Sequence, residues 1–163
     1  LLRSVPAAKL LLIGDGPELE KYKEYALRLG LEKKAVFTGF LKTHEEVDDL
    51  LRRGAIGLAL FASDKSSYEY YSDVGKPKAY LAAGMPVIIT RVPEIADIIE
   101  RADAGIVIKY TKEELVGALE LLLTSDDLYR AYRQHAIALS KKYKWTNIFS
   151  ETYKKTFQYL YTP

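Results

Sequence analysis

The sequence predicts an α/β fold in which a doubly wound parallel sheet lies between two layers of helices. Apolar runs and amphipathic helical patterns alternate five times along the chain. The short runs are apolar throughout rather than alternating, which is typical of parallel strands covered on both faces. Strands and helices in this alternation predict βαβ units, a three-layer αβα arrangement and right-handed crossovers. The 163 residues fit one domain, over residues 1–163.

The first half of the chain contains three strand–helix units. The helix predicted over residues 18–29 has leucine and tyrosine at helical spacing and stops at Gly30. Thr43, with Glu46 three residues later, has the form of a capping box that starts the second helix. A long polar loop is predicted over residues 62–74, after the third strand. The three strands are predicted at residues 9–13, 35–37 and 56–61.

Residues 72–90 join a polar loop to a short helix and a buried strand. Pro77 suits the first turn of that helix, and Gly84 suits its left-handed C-cap. Pro86 then prevents the helix from restarting, because its ring and missing N–H are incompatible with a helix interior. The remaining predictions are strands at residues 87–89 and 105–108, helices that begin at Pro93 with Glu94 and at Thr111 with Glu114, and helices over residues 126–142 and 145–160.

The loops that follow the strands predict where a ligand binds. Taken as a complete domain, five strands suggest the order 2-1-3-4-5, with a switch point between the first and the third. A longer protein would insert one more strand at that junction. Ligands of such sheets collect at the carboxyl ends of the strands, near the switch point. The loops at that edge are residues 14–17, 38–40 and 62–75.

The helix that starts near Gly75 predicts a phosphate site. Free backbone N–H groups and the helix dipole favour an anion at a helix N-terminus, and Lys76 and Lys78 add positive charge. Gly14 and Gly16 allow the backbone to approach a ligand closely. The candidate residues for binding a phosphate and the rest of its ligand are Gly14, Asp15, Gly16, Gly39, Phe40, Ser72, Asp73, Val74, Gly75, Lys76 and Lys78.

Each candidate also has a plain structural interpretation. The two lysines are then solvated residues of a first helical turn, and residues 14–16 form a tight turn that Asp15 caps. Phe40 is then part of the core. The aromatic and acidic loop at residues 68–71 either touches a bound ligand or has no role in binding.

Composition restricts the function further. A net charge of +2 gives no indication of a nucleic-acid partner, and the lack of cysteine excludes disulfides and thiolate chemistry. His44 and His135 have no metal-ligand spacing, so we predict no metal site, and we assign no catalytic residue. No apolar run reaches the roughly 20 residues of a bilayer span, and no signal peptide is visible, which predicts a cytoplasmic protein. The scarcity of Asn and Gln indicates a thermophilic source.

Several segments together resemble the carboxyl-terminal half of GT-B type glycosyltransferases of group 1. They are KLLLIGDGPELEKY, VFTGF, YLAAGMPVIITRVPEIADII, AGIVI and KYKW, in the order that the family has them. The resemblance implies a Rossmann-like domain that binds a UDP- or GDP-type sugar as substrate, without a metal cofactor. It also implies sugar transfer with retention of configuration, in a cleft shared with an amino-terminal domain that binds the acceptor.

Two departures from the family pattern affect these expectations. The family's first strand and helix, with a Gly-Arg turn and a Lys-Gly pair for the diphosphate, have no counterpart here. We therefore expect a fragment that lacks this unit and the acceptor domain and is inactive alone, unless the five strands close into their own sheet. In addition, Tyr71 and Ala79 stand where many members have a Glu-x7-Glu pair, whose second Glu holds the ribose.

Three alternatives remain open from the sequence. The first is a non-catalytic module that binds a nucleotide or nucleotide sugar, and the second is a flavodoxin-like mononucleotide-binding domain. The third concerns the segment from Lys141, whose lysines and aromatic residues alternate. This segment either rests on a membrane surface, as basic aromatic helices do, or packs against the domain or its amino-terminal half.

Overall fold

The computed structural model describes residues 1–62 and 74–161, and the side chains of these residues up to residue 158. Its strands are β1 (Leu10–Leu12), β2 (Ala35–Phe37), β3 (Gly57–Ala59), β4 (Val87–Thr90) and β5 (Gly105–Ile108). Its helices are α1 (Leu19–Arg28), α2 (His44–Arg52), α3 (Gly75–Ala82), α4 (Ile95–Arg101), α5 (Lys112–Thr124), α6 (Asp126–Ser140) and α7 (Trp145–Tyr161), with a 3-10 turn at Lys141–Tyr143.

The sheet β3-β4-β5 is parallel and forms the centre of the domain. All four residues of β4 are buried, and alternate side chains point to opposite faces, as strand geometry requires. Val87 and Ile89 pack in one cluster with residues of α3, α4 and α6, such as Leu81. Ile88 packs on the other face, in a cluster with Leu122 of α5. The three-layer αβα prediction is therefore confirmed around this sheet.

The strands β1 and β2 form a separate parallel sheet. The order 2-1-3-4-5, which was expected only if the chain is a complete domain, is therefore wrong between β1 and β3, because β1 pairs with β2 and does not pair with β3 in the described structure. The alternative that the five strands close into their own sheet is wrong for the same reason. Strand β1 is also less buried than its apolar pattern predicted, since Leu10 is 47% exposed. A strand with one neighbour lacks the covering that a central strand receives.

Local signals set the ends of the helices largely as predicted. Thr43 and Glu46 form both hydrogen bonds of a capping box at the start of α2. At the start of α5, Thr111 accepts from the backbone N–H of Glu114. The Glu114 carboxylate, however, accepts from the backbone N–H of Lys109 at 2.6 Å instead of completing the predicted capping box. The helix α3 ends before Gly84, whose φ of 76° is the predicted left-handed conformation.

The segment 126–142 is shorter as an α-helix than its pattern predicted. The helix α6 ends at Ser140, and Lys141–Tyr143 continue as a 3-10 turn, which is a common ending for an α-helix. In the part of the chain that the structure describes, none of the helices has the length and apolar character needed to cross a bilayer.

Candidate functional site

The loops after β1 and β2 are held together at the carboxyl ends of their strands. The backbone N–H of Gly14 donates to the carbonyl of Gly39 at 3.2 Å and to Thr38 Oγ1 at 3.3 Å. Both glycines have positive φ, 126° for Gly14 and 67° for Gly39, which other residues rarely adopt. A Cβ built on either one would meet nothing within 4 Å. The two predicted loops therefore form one rim that is open on its outer side.

Asp15 and Phe40 occupy this rim in different ways. The Asp15 carboxylate accepts from the backbone N–H of Gly16 at 2.8 Å, so it stabilises the turn, as its structural interpretation predicted. Phe40 is 75% exposed, so the interpretation that it belongs to the core is wrong. Phe40 directly follows Gly39, whose left-handed conformation turns the chain away from the strand. An exposed aromatic ring at the end of a strand offers a flat surface against which a planar base can stack.

The carboxyl ends of β3 and β4 are joined by the buried hydroxyl of Thr90. Thr90 Oγ1 accepts from the backbone N–H of Phe61 at 2.8 Å and donates to the carbonyl of Phe61 at 3.0 Å. The hydroxyl thus satisfies both polar groups of a residue that immediately precedes the loop at residues 62–74. The sequence analysis did not single out Thr90, although a hydroxyl residue at the end of an apolar strand could have indicated it.

Replacing Thr90 with valine is expected to destabilise the domain by about 2 kcal/mol, because two hydrogen bonds are lost and the backbone groups of Phe61 are left without them. Urea unfolding followed by circular dichroism measures this change. Thr124→Val is the matched control, since the Thr124 hydroxyl is exposed and donates only to a carbonyl of its own helix. Equal effects of the two substitutions would contradict the role of Thr90.

At the start of α3, no described side chain accepts a hydrogen bond from the first backbone N–H groups. Val74 precedes the helix in an extended conformation, with φ −77° and ψ 118°, and none of the described side chains caps the first turn. Gly75 and Lys76 are exposed, and a Cβ on Gly75 would meet nothing within 4 Å. The candidates Ser72 and Asp73, together with residues 68–71, lie outside the described residues.

Lys76 and Lys78 point in different directions from α3. Positions two residues apart on an α-helix lie roughly 200° apart around its axis. The Lys78 Nζ lies 5.2 Å from the centre of the Tyr143 ring, in a cation–π arrangement with the 3-10 turn. Lys76 is exposed, whereas Lys78 is partly buried. The structure therefore distinguishes two lysines that the sequence presented as equivalent.

The helix α3 is firmly anchored in the core. Leu81 and Pro77 are buried, and the Arg133 guanidinium of α6 donates to the carbonyl of Gly84 at 2.8 Å, just beyond the end of α3. Tyr80 packs against the same core cluster, and burial raises the pKa of its phenol. These contacts fix the helix that presents Gly75 and Lys76.

Arg91 is a further cation at the carboxyl end of β4, and the sequence analysis did not identify it. Its guanidinium donates to Asp97 at 2.8 Å and also to Glu100. The hydrogen bond from Arg91 lowers the pKa of the exposed Glu100 carboxyl. Both acids belong to α4, and their carboxylates largely neutralise the charge of Arg91. Lys76 is therefore the more available cation for an anionic ligand.

The structure assigns the predicted site residues to two groups on different sheets. The residues of β1–β2 form one rim, and the start of α3 belongs to the sheet β3-β4-β5. No group of three His, Asp or Glu side chains suited to hold a metal ion occurs within residues 1–62 and 74–158. A shallow groove of about 550 Å³ lies elsewhere, between α4, α6 and the 3-10 turn. Its lining residues are Ile98, Arg101, Ala102, Leu139, Lys142 and Tyr143.

Two solved structures share this fold. The carboxyl-terminal domain of the group 1 glycosyltransferase LpcC from Francisella tularensis superposes with a TM-score of 0.71 and 23% identity, over 88% of this chain and 74% of that one. HepE from Anabaena in complex with UDP superposes with a TM-score of 0.71 and 18% identity, over 97% of this chain and 44% of that one. The chain thus has the Rossmann-like fold of a GT-B glycosyltransferase domain.

Sequence comparison gives the family. The chain is 34% identical over 98 residues to the N-acetyl-alpha-D-glucosaminyl L-malate synthase of Bacillus anthracis, which covers 60% of this chain and 23% of that protein. It spans about a quarter of the length of the curated relatives that it matches. The family model described as glycosyl transferases group 1 matches residues 1–138. The chain therefore belongs to the group 1 glycosyltransferase family.

Proposed function

We propose that this chain is the donor-binding part of a glycosyltransferase that moves a hexose from a nucleoside diphosphate to an acceptor. The observation that supports this most directly is the exposed start of α3, which none of the described side chains caps and which follows β3 of the central sheet. A diphosphate fits this place because the helix dipole and free N–H groups attract it. HepE, which has the same fold, was solved with UDP.

Lys76 is proposed as the main cation for the donor diphosphate. When the glycosidic bond to the nucleotide breaks, negative charge grows on the leaving diphosphate, and a cation placed in advance stabilises that charge. The N–H groups of Gly75 and Lys76 add partial positive charge at the same place. Lys78 stays a second candidate, and its approach to the diphosphate requires a change in its contact with Tyr143. Because these groups supply the positive charge, the proposed reaction needs no metal ion.

The rim of Gly14, Asp15, Gly16, Gly39 and Phe40 is proposed to hold the nucleoside. The exposed Phe40 ring offers a stacking surface, and the open sides of Gly14 and Gly39 allow close approach to the backbone. In this proposal the nucleotide bridges the two sheets, with its base near β1–β2 and its phosphates at α3. We place UDP before GDP as the nucleotide, since UDP occupies the solved relative.

One observation favours a second candidate function, a module that binds the nucleotide sugar without catalysis. Ala79 lies in α3, one turn after Gly75, and has no carboxylate to accept hydrogen bonds from ribose hydroxyls. A ribose contact at this helix must then come from another residue. Sugar transfer by a longer protein that contains this chain would separate the two functions, because only the first predicts transfer with retention.

The acceptor and the remaining catalytic groups are proposed to be bound by another part of the protein. The curated relatives are about four times as long as the matched region, so the 163-residue chain is expected to bind donor without transferring sugar. We also propose that the first strand and helix of the family pattern lie between β1 and β3, which do not pair with each other in the described structure. The cytoplasm is the proposed compartment, as the sequence predicted.

Titration of the chain with UDP by calorimetry tests the proposed site. The chain is expected to bind UDP, and Lys76→Ala is expected to weaken binding about tenfold, since hydrogen bonds to a charged group contribute about 1.5–3 kcal/mol. Lys112→Ala is the matched control, because Lys112 is also a lysine in the first turn of a helix, where Thr111 caps α5. Failure of the chain to bind UDP or GDP, or equal binding by the Lys76→Ala variant, would contradict the proposal.

A further inference from the structure

A lysine of α3 and a tyrosine of the 3-10 turn hold these two segments together. The Lys78 Nζ lies 5.2 Å from the centre of the Tyr143 ring, within the range of a cation–π interaction. Both side chains are partly buried, and such an interaction is stronger there than at a fully exposed site. The contact therefore joins the helix of the proposed diphosphate site to the turn that follows α6.

The core of this chain sets the position of the Tyr143 ring. Tyr143 packs against the cluster that contains Leu81 of α3, and Val74, directly before α3, packs against the same cluster. In the same turn, the carbonyl of Lys141 accepts from the Asn147 side chain at 2.6 Å. The ring therefore lies beside α3 through contacts within the domain.

The ammonium of Lys78 also lies within reach of the start of α3. Lys78 is the fourth residue of this helix, so its Cα lies about 4.5 Å along the axis from that of Gly75. Side chains of a helix tilt toward its N-terminus, and the flexible four-carbon stem of lysine spans this distance. The same ammonium can therefore contact either Tyr143 or an anion that is bound at Gly75 and Lys76.

We propose that the donor diphosphate and the Tyr143 ring compete for the Lys78 ammonium, so that donor binding releases the 3-10 turn from α3. This inference rests on the proposed function, because it takes the start of α3 as the diphosphate site. A diphosphate oxygen forms a charge-assisted hydrogen bond with the ammonium, which is stronger than the attraction of a neutral ring. The two carboxylates that hold Arg91 compete with a diphosphate more strongly than a ring does.

Competition for one ammonium makes the donor site and the turn interdependent. A donor that draws Lys78 away leaves Tyr143 with its core contacts but without its link to α3. The contact between Lys78 and Tyr143 also lowers the affinity for the donor, by the same factor with which the donor weakens the contact, because coupling between two equilibria is reciprocal. The occupancy of the donor site is thereby transmitted to residues 141–144, which lead into α7.

Calorimetric titration of the chain with UDP measures this coupling in the Tyr143→Leu variant. Leucine keeps apolar packing against the core but has no ring face. The variant is therefore expected to bind UDP about threefold more tightly than the wild type, the factor that corresponds to a cation–π contact of ordinary strength. Tyr143→Phe keeps the ring and is expected to bind UDP like the wild type. A structural role alone predicts the opposite, weaker binding by the leucine variant.

Tyr25→Leu is the matched control, because the Arg28 guanidinium lies 5.6 Å from the centre of the Tyr25 ring in α1. This variant loses a cation–π contact of the same kind away from α3, so its affinity for UDP is expected to be unchanged. Lys78→Gln is expected to weaken UDP binding. In the Lys78→Gln background, Tyr143→Leu is expected to have no further effect on the affinity, since the shared ammonium is gone.

Hydrogen exchange of the wild-type chain follows the turn directly. The backbone N–H of Lys144 donates to the carbonyl of Lys141 at 3.4 Å, and mass spectrometry of peptides that cover residues 141–145 reports its opening. Saturating UDP is expected to speed exchange in these residues about threefold, the same factor as in the titration. In the Tyr143→Leu variant, UDP is expected to leave this exchange unchanged.

Two results would overturn this inference alone. The first is a chain that binds UDP with an affinity that Tyr143→Leu lowers or leaves unchanged, while circular dichroism shows intact helix content. The second is UDP binding that slows exchange at residues 141–145 or leaves it as it was. A wild-type chain that binds neither UDP nor GDP would overturn this inference together with the proposed function.

Discussion

Gly105→Ala is expected to lower the free energy of unfolding by about 4 kcal/mol or more, an exceptionally large loss for one methyl group. A Cβ at this position would lie 2.8 Å from the carbonyl carbon of Val87, still closer to its carbonyl oxygen, and 2.9 Å from Ile99 Cγ2. The carbonyl belongs to the backbone of the central strand β4, which is hydrogen-bonded to both neighbours. It has no room to retreat, so β5 must separate from β4.

Urea unfolding of the Gly105→Ala variant, followed by circular dichroism, measures this loss. Gly117→Ala is the matched control, because Gly117 lies in α5 and a Cβ there would meet nothing within 4 Å. That substitution is expected to stabilise the chain by about 0.5–1 kcal/mol through helix propensity alone. A Gly105→Ala variant that unfolds near the wild-type urea midpoint would contradict the close approach of β4 and β5.

Gly57→Ala is expected to destabilise the domain by about 3 kcal/mol, at the upper end of the usual cost of overpacking. A Cβ on Gly57 would clash with Tyr80 of α3, lying 2.5 Å from Cδ2, 2.7 Å from Cβ and closer still to Cγ. These atoms belong to the stem of the side chain, so rotation of the ring does not remove the clash. Relief requires α3 to move away from β3. Because α3 presents Lys76, UDP binding is expected to weaken as well.

A double-mutant cycle with Tyr80→Ala tests the cause of this loss. The two substitutions are expected to couple by at least about 1 kcal/mol, since they share one contact. Recovery is expected to be partial, because the Cβ of residue 80 remains. Gly54→Ala is the comparison, since its Cβ would meet the flexible Met85 thioether at 2.5 Å and the Leu51 carbonyl oxygen only at 3.1 Å, and the thioether can move aside at lower cost. Additive effects of Gly57→Ala and Tyr80→Ala would contradict the proposed clash.

The sequence predicted those parts of the fold that local chemistry determines. Thr43 with Glu46 placed the start of α2, and Gly84 placed the end of α3, because each signal acts within a few residues. The apolar run at Val87–Thr90 predicted a strand covered on both faces, which requires only its own pattern. The order of elements and the αβα layers follow from these local predictions and from the handedness of crossovers.

The parts that could not be predicted depend on contacts between distant residues. Nothing in residues 9–13 shows whether β1 has one neighbour or two, so the order 2-1-3-4-5 held only for a complete domain, whereas the expectation of a fragment left a strand missing between β1 and β3. The environment of Lys78 depends on Tyr143, which lies several elements later in the chain. Phe40 is exposed because of the backbone turn at Gly39, although its side chain alone favours the core.

The division into two sheets has a consequence for the rigidity of the proposed nucleotide site. Strand β4 is bonded on both edges and fully buried, so its amide groups are expected to exchange with solvent only when the whole domain opens. Strand β1 is bonded to β2 alone and partly exposed, so it can open in smaller fluctuations. The Gly14–Gly39 rim belongs to the sheet of β1 and β2, which opens more easily, and the start of α3 belongs to the more stable sheet of β3, β4 and β5. A nucleotide bound to both sheets would therefore hold β1 and β2 against the more stable sheet, and its binding would slow amide exchange most in β1 and β2.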